Sequence, residues 1–135
     1  MREKGGFGDV VFNNRDPVYL QVVRHFKVKI ATGELTAGQV IPSRRELGAM
    51  LNINPNTAQR AYKEMEEQRL IVTEGNTASR ITTETDVLRS IRTELIEEAV
   101  ETFIASIRHL DVPLRELTDV VERKYFALRE KEEES

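Results

Sequence analysis

Apolar residues recur at helical spacing along most of the chain. Tyr19, Val23, Phe26 and Ile30 step by three or four residues, the signature of one buried helix face. Asp16-Pro17 ahead of them reads as N-cap and first helical position, and Gly33 as the stop. Gly38 belongs to the turn that follows, and the β-branched pair Val40-Ile41 suits a very short strand. Ser43-Arg44-Arg45-Glu46 has the capping-box spacing, and Leu47, Met50 and Leu51 give the short helix behind it an apolar face. That helix is expected to end near Asn52. Asn54-Pro55 restarts the pattern, with Ala58, Ala61, Tyr62 and Met65 on one face and Asn56, Gln59, Arg60 and Lys63 on the other.

Leu70-Ile71-Val72 is a strand, Glu74-Gly75-Asn76 a turn, and Ser79 to Thr83 a returning strand. Two helices joined by a short turn and followed by a hairpin make a winged helix-turn-helix. Ahead of it, residues 1–15 read as a loose arm. Gly5, Gly6 and Gly8 precede an apolar patch, Val10-Val11-Phe12, that packs on the domain.

The pattern changes near residue 83. Leu88, Ile91, Leu95, Ala99, Phe103, Ile107 and Leu110 form a stripe, and Ile96, Val100 and Ile104 add a second row. The resulting apolar face is wider than one partner helix would cover. Asp111-Val112-Pro113 breaks the helix. Leu114, Leu117, Val121, Tyr125 and Leu128 then line a last helix that runs out in the polar segment Arg129 to Ser135. The expected fold is mainly α with a small β-hairpin. It comprises an N-terminal winged helix-turn-helix over residues 1–82 and a C-terminal two-helix dimerisation region over 83–135. Leu88, Ile91, Leu95, Phe103, Ile107, Leu117 and Val121 are the expected dimerisation residues.

Charge sharpens this division. The net charge of −3 over 135 residues hides an asymmetry. Residues 1–82 carry 12 Lys and Arg against 9 Asp and Glu, whereas residues 83–135 carry 8 against 14. A basic front half and an acidic back half suit different partners. With no cysteine, disulfides, thiolate catalysis and cysteine-based zinc sites are excluded. His25 and His109 are too few for a transition-metal centre. Glu94, Glu97, Glu98 and Glu101 lie on the polar side of their helix with no accompanying histidine motif. No nucleophile–base pair or phosphate-binding loop is present, so neither an enzyme nor a cofactor is expected. The first residues lack the apolar core of a secretion signal, and no apolar run approaches roughly 18 residues. The expected location is cytoplasmic, off the membrane.

Reading DNA requires a helix whose first turns present polar donors and acceptors to the major groove, with cations nearby for phosphates. Residues 54–60 fit. Asn54 and Asn56 lie at the helix start, with Gln59 and Arg60 one turn in. Asn and Gln pair with adenine, and Arg with guanine. Arg44 and Arg45 open the preceding helix, where it would cross the backbone. On their own, Arg44 and Arg45 could pair with Glu46 or Glu34 at the surface, and Asn54 is a helix cap whatever else it touches.

The order and spacing of several motifs over residues 11 to about 82 resemble the GntR family of winged-helix transcriptional regulators. Pro17-Val18-Tyr19-Leu20-Gln21 is similar to its opening Pro-Ile-Tyr-x-Gln. Gly33-Glu34-Leu35, Gly38 and Ile41-Pro42-Ser43-Arg44-Arg45-Glu46-Leu47 resemble Gly-x-Leu, Gly and Leu-Pro-Ser-x-Arg-x-Leu. Asn54-Pro55-Asn56-Thr57 and Ala61-Tyr62 match Asn-Pro-Asn-Thr and Ala-Tyr. The short helical remainder is similar to the YtrA-like subfamily, some of whose members control transporter operons.

The resemblance implies DNA contact by Arg45, with Arg44 as a second contact. It implies base or phosphate contact by Asn54, Asn56, Thr57 and Gln59, and a wing-tip role for Gly75. Two departures stand out. Arg69 occupies a position where the family usually has glycine, which needs either a left-handed backbone or a different turn. The wing is poorer in glycine and basic residues than usual, with Arg80 its one charge of that sign. The implied function is a sequence-specific homodimeric regulator, a repressor by expectation, on a pseudo-palindromic double-stranded DNA operator. A winged-helix protein-interaction module is the alternative. No residue pattern identifies a small-molecule effector, for which two short helices leave little enclosed room.

Overall fold

The computed structural model describes residues 10–134. The glycine-containing part of the expected arm lies outside the described residues. Helices α1 (Val18–Ala31), α2 (Arg44–Leu51) and α3 (Pro55–Glu67) precede strands β1 (Ile71–Val72) and β2 (Arg80–Ile81). Helices α4 (Thr85–Ile107) and α5 (Leu114–Glu134) follow, with a 3-10 turn over Arg108–Leu110 between them. The fold is the mainly helical one expected, with a winged helix-turn-helix. Among the described residues, no helix is long and apolar enough to cross a membrane.

Two compact units divide at Ile96 and Glu97. The sequence boundary at residue 83 falls two residues before α4 begins at Thr85. Packing divides the chain further on because the first turns of α4 belong to the first unit's core. Val87 and Ile91 are buried there, and Leu88 and Leu95 pack against it.

In the first unit, α3 packs on α1, α2 and β1. Its core joins Val22, Val23, Phe26 and Ile30 of α1 with Leu47 of α2 and Ala61, Tyr62 and Met65 of α3. Met50, expected on the same apolar face as Leu47, is exposed. Phe12 packs against the core, while its neighbour Val11 is almost fully exposed. Lys27 is buried to 9 % exposure and reaches Glu94 of α4 at 2.6 Å, so its charge is compensated.

The start of α1 differs from the expected cap. Pro17, at φ −57° and ψ 135°, is the N-cap, and no side chain caps the helix. Asp16 instead accepts a hydrogen bond from the Asn13 amide at 3.2 Å. The Gln21 side chain donates to the carbonyls of Asp16 (2.8 Å) and Asn13 (3.1 Å), and accepts from the Asn13 N–H (2.9 Å). The lead-in turn is therefore fastened by Gln21 rather than by a cap.

The strand expected at Val40-Ile41 reduces to a single bridge between Val40 and Arg80. It flanks β2, which pairs antiparallel with β1 through Ile71 opposite Ile81. Gly38 makes this possible: at φ +78° its N–H donates to the Ile81 carbonyl at 2.9 Å.

The second unit contains the later turns of α4 and all of α5. α4 ends at Ile107, one turn short of the expected Leu110, where the chain tightens into the 3-10 turn and Asp111 adopts φ +52°. No residue of α5 is buried. Phe103 (40 % exposed) and Val121 (47 %) are representative of the apolar side chains left open to solvent.

Candidate nucleic-acid interface

The site is built on two capped helix starts. The Ser43 hydroxyl accepts from the Glu46 N–H at 3.1 Å, and the Glu46 carboxylate accepts from the Ser43 N–H at 2.8 Å. These bonds, the backbone one first, hold the Glu46 carboxyl below its usual range. This box fixes where α2 begins, and with it Arg44 and Arg45. At α3 the Asn54 side chain accepts from the Asn56 N–H at 2.7 Å and Pro55 takes the first helical position, as expected. Asn52, left-handed at φ +55°, makes the turn between them.

The two arginines of α2 have different surroundings. One guanidinium nitrogen of Arg44 donates to both carboxylate oxygens of Glu66, each at 3.2 Å. The same guanidinium stands 5.1 Å from the centre of the Tyr62 ring. Arg44 is thus half-buried and engaged with α3, unlike the freely presented cation expected from sequence. Its partner is Glu66 at the far end of α3, and not Glu46 or Glu34, the surface partners that the sequence offered. Arg45 is exposed and has no side-chain partner among the described residues.

Tyr62 holds this corner from beneath. It is fully buried, meets Phe26 edge-to-face at 6.4 Å, and its hydroxyl donates to the Pro42 carbonyl. Burial pushes its phenol well above the ordinary range, partly offset by the nearby Arg44 charge. Sequence periodicity placed Tyr62 in the core but gave no sign that its hydroxyl secures the residue before the Ser43 cap.

On α3, Asn56, Gln59, Arg60 and Lys63 are exposed and Thr57 is half-buried. Ala58, Ala61, Tyr62 and Met65 form the buried face. Arg60 does not extend freely: its guanidinium lies 4.0 Å from the centre of the Tyr19 ring on α1. One flank of α3 therefore carries the Arg44–Glu66 pair and another the Arg60–Tyr19 stack. Asn56, Gln59 and Lys63 remain without side-chain partners among the described residues. Lys63 was legible on the polar face but lies outside the expected contact set.

A groove of about 570 Å³ runs between the start of α2 and the wing, lined by Ser43, Arg45, Thr73, Thr77 and Ser79 among others. Arg44 and the Glu46 carboxylate also line it beside Arg45, and the Thr73 and Ser79 hydroxyls bond to each other, so its polar lining is of mixed charge. At the wing tip Gly75 has φ +57° and open space where a side chain would stand. Arg80, the expected wing charge, instead donates to the Gly38 carbonyl at 3.1 Å. Arg69 takes the left-handed alternative, φ +65°, and pairs with Glu84 just before α4.

The expected dimerisation residues fall into two groups. Ile91 is only 2 % exposed, in the first unit's own core, so it offers no surface to a second chain. Leu88 and Leu95 also pack on that core. Phe103 and Val121 are exposed, with Ile107 and Leu117 partly so, all within the second unit.

These features define a winged helix with a polar, partly cationic recognition face. The profile described as "Bacterial regulatory proteins, gntR family" matches residues 18–81. A solved GntR family transcriptional regulator from Listeria monocytogenes superposes with a TM-score of 0.75 at 30 % identity, over 83 % of this chain and 98 % of that one. The HTH-type transcriptional regulator YhcF of Bacillus subtilis is 28 % identical over 111 residues, 82 % of this chain and 92 % of its own. The HTH-type transcriptional repressor YtrA of the same organism is 39 % identical over 57 residues, 42 % of this chain and 44 % of its own. The chain belongs to the GntR family and is a DNA-binding transcriptional regulator, not an enzyme.

Proposed function

We propose that the chain acts as a homodimer on a pseudo-palindromic operator and represses transcription there. The carrying observation is the exposed face of α3, Asn56, Gln59 and Lys63, together with Arg45, none of them with a side-chain partner among the described residues. Asn56 and Gln59 have the donor–acceptor pairs that distinguish adenine in the major groove. Arg45 and Lys63 supply phosphate neutralisation, and the groove between α2 and the wing accepts the strand. Asn54 and Thr57 complete the start of α3, and Gly75 lets the wing tip approach a backbone closely.

Dimerisation is supported by the second unit. None of α5 is buried, whereas helices in proteins draw most of their stability from a packed apolar face. The open apolar residues of the unit, Phe103, Ile104, Val121 and Tyr125 among them, need a cover. A second copy supplies a self-complementary one, and its two-fold symmetry implies half-sites about one helical turn apart. Repression is supported by likeness to YtrA, which is described as a repressor. The YtrA-like resemblance extends the proposal to a transporter operon.

The test is selection of duplexes from a randomised library by the full chain, with sedimentation in parallel. Enrichment of an inverted repeat by a dimeric protein is expected. Enrichment of a single unrepeated motif, or a monomer at binding concentrations, contradicts the proposal.

A further inference from the structure

We propose that Tyr19, on α1 and outside the helix-turn-helix, is a positioning residue for DNA recognition that acts through Arg60. This inference rests on the DNA-binding reading of α3 and extends it to a residue that contacts no nucleic acid itself.

The geometry is a guanidinium stacked 4.0 Å from a ring centre. Contact with the ring occupies one side of the guanidinium and leaves N–H donors that no hydrogen bond among the described residues uses. Arg60 has no carboxylate partner among the described residues, whereas Arg44 is held to Glu66 through one guanidinium nitrogen and its Nε is buried. Of the two, Arg60 is the one whose donors remain available to an incoming acceptor. A free arginine must give up rotamer freedom when it binds, and a stacked one has already done so.

The ring itself is held. Tyr19 packs against the core of the first unit. Two residues later, Gln21 fastens the lead-in turn through bonds to Asn13 and Asp16. The Tyr19 hydroxyl has no hydrogen-bond partner among the described residues, so the ring and not the hydroxyl does the positioning. The acceptor that Arg60 meets is either a guanine edge or a phosphate oxygen, which present the same chemistry to its donors.

A double-mutant cycle tests this with the full chain and the duplex that the wild-type protein enriches from a randomised library. Tyr19→Phe should bind as wild type. Tyr19→Leu should weaken binding by roughly two- to fivefold, the value of an exposed cation–π contact. In an Arg60→Ala background, Tyr19→Leu should cost nothing further. Melting curves confirm that every variant is folded at the binding temperature. Equal losses from Tyr19→Leu with and without Arg60 would overturn the proposal, since Tyr19 would then act through the fold. So would wild-type affinity for Tyr19→Leu. If Arg60→Ala lowers the salt slope by about one, the acceptor is a phosphate; if it relaxes preference at one base pair, it is a guanine. Failure of the wild-type chain to enrich any duplex would reject the DNA-binding reading instead, a separate outcome.

Discussion

Arg44 at the start of α2 and Glu66 near the end of α3 are joined by two hydrogen bonds from one guanidinium nitrogen, each 3.2 Å long. The pair ties the helix that would cross the backbone to the helix that would read the groove. Its neighbour Arg45 is exposed. In the proposed DNA-binding reading, the two adjacent arginines divide a structural task from a binding task.

That division predicts two different phenotypes. Arg44→Ala and Glu66→Ala should each lower the melting temperature, and together should cost less than their sum, with a coupling on the order of 1 kcal/mol. Arg45→Ala should leave the melting temperature unchanged while weakening DNA binding. Chemical denaturation of the four proteins checks the first statement, and a coupling near zero would remove Arg44 from its structural role.

Tyr62 makes stability depend on alkaline pH. Its folded pKa is raised by burial above the unfolded value, so its contribution is complete below about pH 10, the ordinary tyrosine range. Stability should fall as pH rises beyond that point, because the unfolded phenol ionises first. Tyr62→Phe should remove this alkaline slope, at a cost of about 1 kcal/mol at neutral pH for the lost bond to the Pro42 carbonyl. Denaturation midpoints between neutral and alkaline pH measure both effects.

Arg69 holds a left-handed backbone that glycine adopts without penalty, and its ion pair with Glu84 offsets that penalty. Both partners are largely exposed, so salt screens the pair and leaves the backbone cost. Arg69→Gly should therefore raise the melting temperature, and by more at high salt than at low. A larger gain at low salt would show that the backbone is not the governing factor.

The two halves of α4 should respond oppositely to substitution. Ile91→Ala, in the core of the first unit, should cost about 2–5 kcal/mol of stability. Phe103→Asp, on the open face of the second unit, should leave the first unit folded and yield a monomer by sedimentation. A dimer that survives both Phe103→Asp and Val121→Asp would move the interface elsewhere.

Much of this was readable from local chemistry. The Ser43–Glu46 box, the Asn54-Pro55 start and the Ala58–Met65 face are set within a few residues, so periodicity and capping located them. Pairings across the fold were not readable. Nothing in the spacing of Arg44 and Glu66, Arg60 and Tyr19, or Lys27 and Glu94 shows that packing brings them together. The stripe from Leu88 to Leu110 was visible as one surface. Its first turns are consumed by the winged-helix core, because the apolar residues at both ends of α4 have the same spacing and only the tertiary contacts tell them apart. At α1, Asp16-Pro17 carried the usual start signal, but the Gln21 side chain captured the segment and moved the cap to Pro17.

The most direct measurement is a binding titration of the full chain on the DNA upstream of its own gene and on a shuffled fragment, over several salt concentrations, with Arg45→Ala alongside. Tight binding to the native fragment alone, weakened by salt and lost in Arg45→Ala, is expected of an operator-binding regulator that reads DNA through α3 and the free arginine of α2. Arg45→Ala binding as tightly as wild type, with the same salt dependence, would contradict that site. Absence of binding to either fragment, even at low salt, would contradict the operator-binding claim for this DNA and favour the protein-interaction alternative.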